Sequence, residues 1–310
     1  MEILIIGAGA MGGLFGALLA PFAEVTLYTT NPEHAVVINR EGLTLTGQDG
    51  VVRCSRIRTL SDPGQYGQRA DLALIFTKAR STFAAAEVAR AVLADTGLVL
   101  TLQNGIGNAD QIAAVVGKDR VLAGITSQAA TLLGPGQVRH AGSGPTYLAA
   151  GPGQTERVQA LVALFNRAGI DTRLASDGDS LLWSKLIVNV GINALTALLR
   201  VPNGILAEVP ECQLLMAQAV DEAVAVARAL GISLAAGDPL EQVQRICELT
   251  RENRASMLQD ILRGALTEID VINGAVVAKG REVGVPTPVN LLLTQLIKAL
   301  EATVSHRIEL

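Results

Sequence analysis

The chain has 310 residues with a formal net charge of −4, and it is 49% hydrophobic but only 17% charged and 3% aromatic. That is length enough for two domains around large aliphatic cores, and it excludes a disordered chain. The mild charge and the absence of any Lys/Arg run argue against nucleic acid and anionic membrane as partners, while the scattered Cys54, Cys212 and Cys247 fit neither a disulfide framework nor a zinc site and suit a reducing cytosol. No basic segment precedes an apolar signal core, so a cytoplasmic location is the expectation. No internal repeat or low-complexity segment is present.

The first apolar run, Ile3 to Ile6, stops at Gly7-Ala8-Gly9-Ala10-Met11-Gly12, and Leu14, Phe15, Ala17, Leu18 and Leu19 follow at helical spacing. Strand, G-x-G-x-x-G, helix is the context that a dinucleotide fingerprint requires. Its glycines permit a tight turn and bring a pyrophosphate close to the free N–H groups of the helix start. A second strand over Glu24–Tyr28 arrives on schedule. Its end should select the coenzyme: an acid there holds the ribose of NAD, an arginine the 2′-phosphate of NADP. The residues are Thr29-Thr30-Asn31. The missing acid removes the repulsion against a phosphate, which favours NADP.

Thr44 to Cys54 alternates around Gly47-Gln48-Asp49-Gly50 and predicts a hairpin. Buried strands are expected over Asp71–Phe76, Leu98–Leu102 and Val121–Gly124, the last running into Ile125 to Ala130. In a parallel sheet ligands bind beyond the carboxyl ends of strands, which puts Lys78 and Asn104 on the functional edge. Thr155 to Arg167 reads as a helix and Gly169 to Leu174 as the last strand. The polar break Ser176-Asp177-Gly178-Asp179-Ser180 is rich in helix-capping residues and marks a boundary.

Beyond it the pattern is helical throughout. Pro210 and Gly231 bracket one amphipathic helix, Asp238-Pro239 caps the next, and segments near 254–263, 266–283 and 289–305 complete a bundle. The expected class is therefore α/β: a Rossmann-type, doubly wound, mainly parallel sheet over residues 1–175, followed by an all-α domain over residues 176–310.

One stretch of that second domain stands out. Leu181 to Gly204 is nearly all apolar, yet Lys185, Asn189 and Asn193 recur at four-residue steps. Residues four apart stack on one helix face. Buried amides without partners cost roughly 1–3 kcal/mol each, and a charged amine more. The stripe must then meet water, internal partners or a ligand, and it reads as one wall of a polar cleft. A membrane span of this length is disfavoured by the central lysine and the two asparagines. Val201-Pro202-Asn203-Gly204 ends it with a turn signature that carries a polar tip.

The motifs just described, with Thr77-Lys78-Ala79, Gln103-Asn104-Gly105, Leu182-Trp183-Ser184-Lys185, Ile192-Asn193-Ala194-Leu195, Ser256-Met257-Leu258-Gln259-Asp260 and Thr267-Glu268-Ile269-Asp270, occur in an order that resembles ketopantoate reductases, within the 6-phosphogluconate dehydrogenase-like folds. The resemblance covers nearly the whole chain. It implies reduction of ketopantoate to (R)-pantoate with NADPH, in pantothenate and coenzyme A synthesis. It implies Lys185 as the general acid, with Asn104, Asn189, Asn193, Asn203 and Ser256 beside it as substrate contacts. It also implies cofactor contacts at Gly7, Ala8, Gly9, Ala10, Met11, Gly12, Lys78, Asn104, Ala130 and Glu268. The sequence departs from the family at Thr30, where an arginine is common, so NADH stays open and Lys78 is left as the candidate for the 2′-phosphate.

Plainer roles stand beside these: Ser256 as a surface serine, Glu268 and Asp270 as a solvated face, Asn203 as a turn residue only. Two other functions fit the same architecture, a reductase of another small 2-keto acid and an NADP(H) sensor without turnover. A small-molecule substrate is the expected partner. A homodimer is compatible with the pattern, which does not separate pairing faces from solvated ones.

Overall fold

The computed structural model describes residues 1–47, 50–54, 57–234 and 236–306. They form two compact units, one of residues 1–103 and 108–178, the other of residues 104–107 and 179–310.

In the first unit, β1 (Glu2–Ile6), α1 (Ala10–Leu19), β2 (Glu24–Tyr28) and α2 (Pro32–Glu41) are followed by the small strands β3 (Leu43–Gly47), β4 (Gly50–Cys54) and β5 (Arg58–Leu60). Next come β6 (Ala70–Ile75), α3 (Thr82–Val92), β7 (Leu93–Thr101), α4 (Asn108–Val116) and β8 (Val121–Thr126). Then β9 (Ala129–Gly134), β10 (Gln137–Gly142), β11 (Thr146–Ala149), α5 (Thr155–Arg167) and β12 (Thr172–Ala175) complete it. The main sheet has eight strands in the order β12-β11-β8-β7-β6-β1-β2-β5. All neighbours are parallel except β11 against β8. Its central strands read as unbroken Ile/Leu/Val/Ala runs because helices cover both faces: Ile3, Ile5, Leu72 and Leu74 pack into one core, Leu4, Ile6, Ala73 and Ile75 into another.

The expected hairpin is present, with Leu43 opposite Cys54 and Gly47 opposite Gly50, while Gln48 and Asp49 at its turn lie outside the described residues. It belongs to a second sheet that the sequence reading misses, ordered β4-β3-β10-β9. This sheet packs on α1: a Cβ at Gly13 would lie 2.7 Å from Val138. Val138 is the one residue of β10 that is buried, and β9 has none, so the apolar alternation that announces a strand is almost absent. The Pro135-Gly136 dipeptide in the turn between them was the available signal.

The second unit is helical: α6 (Gly178–Leu199), α7 (Ile205–Glu208), α8 (Pro210–Ala229), α9 (Pro239–Leu249), α10 (Ser256–Leu262), α11 (Asn273–Val283) and α12 (Pro288–Ala302). Among the described residues α6 is the one helix long and apolar enough to cross a bilayer, yet Trp183, Leu186, Ile187, Val190, Leu195 and Ala197 are buried in the core of this unit. It starts three residues before Leu181 and ends five before Gly204. Arg200, at φ 56°, takes the left-handed position that closes a helix, and the Val201 N–H returns to the Thr196 carbonyl. The helix expected over 266–283 is interrupted. A single 3₁₀ turn, Ile269–Val271, precedes α11, and Ile272 between them has non-helical angles of φ −107° and ψ −97°.

A polar lock fastens the bundle. The Glu222 carboxylate on α8 accepts from the N–H groups of Val289 and Asn290, which are otherwise orphaned at the start of α12. The Asn290 side chain donates to Glu222 and to the Ala219 carbonyl, and accepts from Asn273 at 3.0 Å. Asn273 also reaches the Val190 carbonyl of α6 at 3.5 Å.

Candidate active site

The three fingerprint glycines have three different reasons to be glycine. Gly7 sits at φ +105°, and a Cβ on it would meet the backbone of Phe76 and Thr77 at 2.8–2.9 Å. A Cβ on Gly12 would lie 1.9 Å from the Gly7 carbonyl oxygen. Around Gly9 there is nothing within 4 Å: the second glycine borders open space, not protein. Gly9 is also the N-cap of α1 and brings no side chain to its first turn, which carries no acidic residue either. The N–H groups at a helix start stay available to an anion under those conditions. An open cradle over an uncapped helix start fits the diphosphate of a dinucleotide.

Several side chains hold this loop. The Ala8 N–H donates to the Tyr28 carbonyl, and His34 Nε2 lies 2.8 Å from the Ala8 carbonyl. The Gly136 N–H points at His34 Nδ1, which makes Nε2 the protonated nitrogen that donates to Ala8. On the other flank, Lys78 follows Thr77 directly, so it lies beside Gly7 and is half-buried. Gln103 donates to the Thr77 carbonyl at 2.7 Å and to Thr82 at 2.9 Å, and accepts from Thr101. Gln103 therefore ties the ends of β6 and β7 together. The sequence motif contained it but did not reveal that task, nor the task of His34. Thr77 Oγ1 is buried without a hydrogen-bond partner. Met11 and Ala130 are half-buried against the same core.

At the end of β2, Thr29 Oγ1 accepts from the Asn31 N–H and Asn31 Oδ1 from the His34 N–H, which starts α2. Thr30 is exposed and takes no part in that cap.

In the helical unit, Lys185 and Asn189 are half-buried and Asn193 is buried, one above another along α6. Desolvation pulls the Lys185 ammonium down to about 8 from its ordinary 10.5, and the charge of Glu268 pulls it part of the way back. Glu268 is itself buried, so its nearest chemical role is as counter-charge to the lysine.

Asn104, expected at the edge of the N-terminal domain, packs with the helical unit instead. Gly105, at φ +82°, lies so close that a Cβ would be 2.3 Å from the Val271 carbonyl oxygen, and the Ile106 N–H donates to that oxygen at 3.1 Å. The 3₁₀ turn that begins after Glu268 is thereby fastened to the 104–107 loop.

Asn203 is buried at the start of the turn before α7, and its backbone N–H donates to the Asn253 carbonyl at 3.0 Å. Ser256, three residues further on, is exposed in the first turn of α10. The structure thus sets Lys185, Asn189 and Asn193 along one helix with Glu268 as the charge acting on the lysine, ties the 104–107 loop to Val271, and links Asn203 to the segment that carries Ser256.

A glycine-loop sheet joined in one chain to a helical unit with a desolvated lysine above two asparagines defines an oxidoreductase of the dinucleotide-binding class. The family described as Ketopantoate reductase PanE/ApbA matches residues 3–153, and Ketopantoate reductase PanE/ApbA C terminal matches residues 178–301. The 2-dehydropantoate 2-reductase of Halobacterium salinarum is 37% identical over 300 residues, covering 96% of this chain and 98% of that one. The crystal structure of a PanE/ApbA family ketopantoate reductase from Ralstonia eutropha superposes with a TM-score of 0.90 at 34% identity, covering 99% of this chain and all of that one. D-mandelate dehydrogenase, in a ternary structure with NADH and anilino(oxo)acetate, also reaches 0.90 at 31% identity, covering 98% of this chain and all of its own. The chain belongs to the ketopantoate reductase family.

Proposed function

We propose that this protein reduces 2-dehydropantoate to (R)-pantoate in the cytoplasm, in pantothenate and coenzyme A biosynthesis, with NADPH as the preferred coenzyme and Lys185 as the general acid. The observation that carries the reading is Lys185 itself, an ammonium brought to about 8 by desolvation beside a buried carboxylate. A proton donor works best when its pKa lies near the working pH, and such donors contribute typically 10²–10⁴-fold.

The residues of the glycine loop, Gly7 to Gly12, with Lys78 and Ala130, would hold the dinucleotide, whose nicotinamide supplies the hydride. Lys185 Nζ holds the keto oxygen of the substrate and gives it a proton as charge develops there. Asn189, Asn193 and Asn104 orient the remaining oxygens, Ser256 takes the carboxylate, and Glu268 keeps the ammonium charged and in place.

NADPH is favoured because no acid stands at Thr29-Thr30-Asn31 and Lys78 flanks the loop. The likeness to D-mandelate dehydrogenase with NADH favours a second reading, another 2-keto acid reduced with NADH. Loss of absorbance at 340 nm, run on ketopantoate and on benzoylformate with each coenzyme, separates the two. Turnover of ketopantoate with NADPH is the expected result; turnover of benzoylformate alone moves the substrate. NADPH binding without oxidation by any 2-keto acid makes the protein a sensor. In the same assay Thr30→Arg tightens NADPH more than NADH. An equal response of both would remove position 30 from the 2′-phosphate.

A further inference from the structure

The turn that carries Asn203 is held far more rigidly than a turn needs. Its Asn203 and Gly204 N–H groups donate to the carbonyls of Asn253 and Arg251, at 3.0 and 3.1 Å. A Cβ on Gly204 would lie 2.6 Å from the Arg251 side chain, and Arg251 pairs with Glu208 just beyond the turn. The remaining tie is between side chains, Asn203 Nδ2 to Thr250 Oγ1 at 2.9 Å.

That last bond has a direction that can be deduced. A threonine hydroxyl owns one proton, and Thr250 spends it on the Ile246 carbonyl, 2.6 Å away. Toward Asn203 it can only accept. The amide must therefore present its NH₂ end to Thr250, because a flip would set two acceptors against each other. The other end, Asn203 Oδ1, is buried and has no hydrogen-bond partner. Native proteins leave few such atoms, and a hydroxyl donor brought by a ligand would satisfy this one.

We infer that Thr250 is a positioning residue that fixes Asn203 as an acceptor-only contact, and that Asn203 Oδ1 thereby selects 2-keto acids carrying a hydroxyl donor. This rests on the proposed function, extended to Asn203 as the substrate contact that the family resemblance implies. A keto oxygen or a carboxylate offers no proton to Oδ1. The alcohol of ketopantoate does, and a site built around a hydrogen bond discriminates strongly against the analogue that lacks it.

The test compares ketopantoate with 3,3-dimethyl-2-oxobutanoate, which has the same carbon skeleton without the hydroxyl. Wild type favours ketopantoate through KM. Thr250→Val, which keeps the shape and removes the hydroxyl, frees the amide to turn. It raises KM for ketopantoate by roughly 10-fold, with kcat and the des-hydroxy analogue little changed. Thr250→Ser restores the wild-type ratio. Thr250→Ala gives the same readout should valine not be accommodated, and Asn203→Leu collapses the preference whatever stands at position 250.

A preference that survives Asn203→Leu, or survives the loss of the Thr250 hydroxyl, overturns the inference while ketopantoate turnover by wild type leaves the proposed function standing. A purely structural Thr250 would lower kcat for both substrates alike, and that too overturns it. A wild type inert toward ketopantoate removes both.

Discussion

Lys185→Ala lowers kcat for ketopantoate reduction by about 10²-fold or more while the affinity for NADPH stays near normal, because the amine acts on charge that exists only in the transition state. The pH dependence gives the sharper evidence. Reduction needs the ammonium, so the wild-type rate falls as pH rises through about 8, the value to which desolvation brings Lys185. That limb disappears in the variant. In Glu268→Gln it moves to lower pH, since Glu268 is the charge that raises the lysine.

Stability carries a matching sign. Between about 8 and 10.5 the unfolded chain binds the proton that the folded protein has released, so stability rises with pH across that window. Below it the desolvation cost is present in full, up to about 3 kcal/mol. The double variant Lys185→Met, Glu268→Gln, which removes the desolvated ammonium without leaving a buried carboxylate unpaired, is therefore inactive and melts higher than wild type at pH 7. Retained turnover in the alanine variant, or a pH limb unmoved by both Lys185→Ala and Glu268→Gln, would refute the assignment.

The second large effect separates two glycines of one motif. Gly12→Ala drives a methyl group to 1.9 Å from the Gly7 carbonyl oxygen, so the loop backbone itself must move. The expected outcome is a loss of a few kcal/mol in stability, in the range of overpacked cores. Gly9→Ala meets nothing within 4 Å, and its φ of −75° is ordinary for any residue. That variant keeps its melting temperature to within a degree or two and binds NADPH at least about 10-fold more weakly, because the methyl occupies the space left for the diphosphate. Melting curves and coenzyme fluorescence titrations on the pair settle it. Normal coenzyme binding by Gly9→Ala means that the cradle holds something else.

Much of the site was legible because its chemistry is written in local spacing. The glycine loop announces itself between a strand and a helix, and Lys185, Asn189 and Asn193 declare one helix face by four-residue steps. What stayed hidden depends on partners distant in sequence. Nothing around residue 104 says that Gly105 fits under the Val271 carbonyl, and nothing around Thr250 says that its hydroxyl meets the Asn203 amide, 47 residues away. The sheet formed by β3, β4, β9 and β10 was missed for a different reason. The β3–β4 hairpin alternates and was expected, but β9 and β10 are held by pairing and by one buried valine, so in them the period-two pattern that reveals a strand was never there. The 3₁₀ turn after Glu268 was read as helix because its apolar residues keep helical spacing, and the break at Ile272 arises from tertiary packing, which overrides propensity.

The lock of Glu222, Asn290 and Asn273 has a dynamic consequence. Asn290 lies near the start of the last helix, Asn273 near the start of α11, and through Asn273 both reach a carbonyl in the middle of the helix that carries Lys185. Opening α12 alone would leave the Glu222 carboxylate and the Asn273 carboxamide without the Asn290 partner they share in the bundle, a cost that a helix end cannot bear by itself. The C-terminal helices and α6 are thereby made one cooperative unit. Their slowest amides should exchange with solvent at a common rate, so the protein cannot loosen its tail without also releasing the lysine.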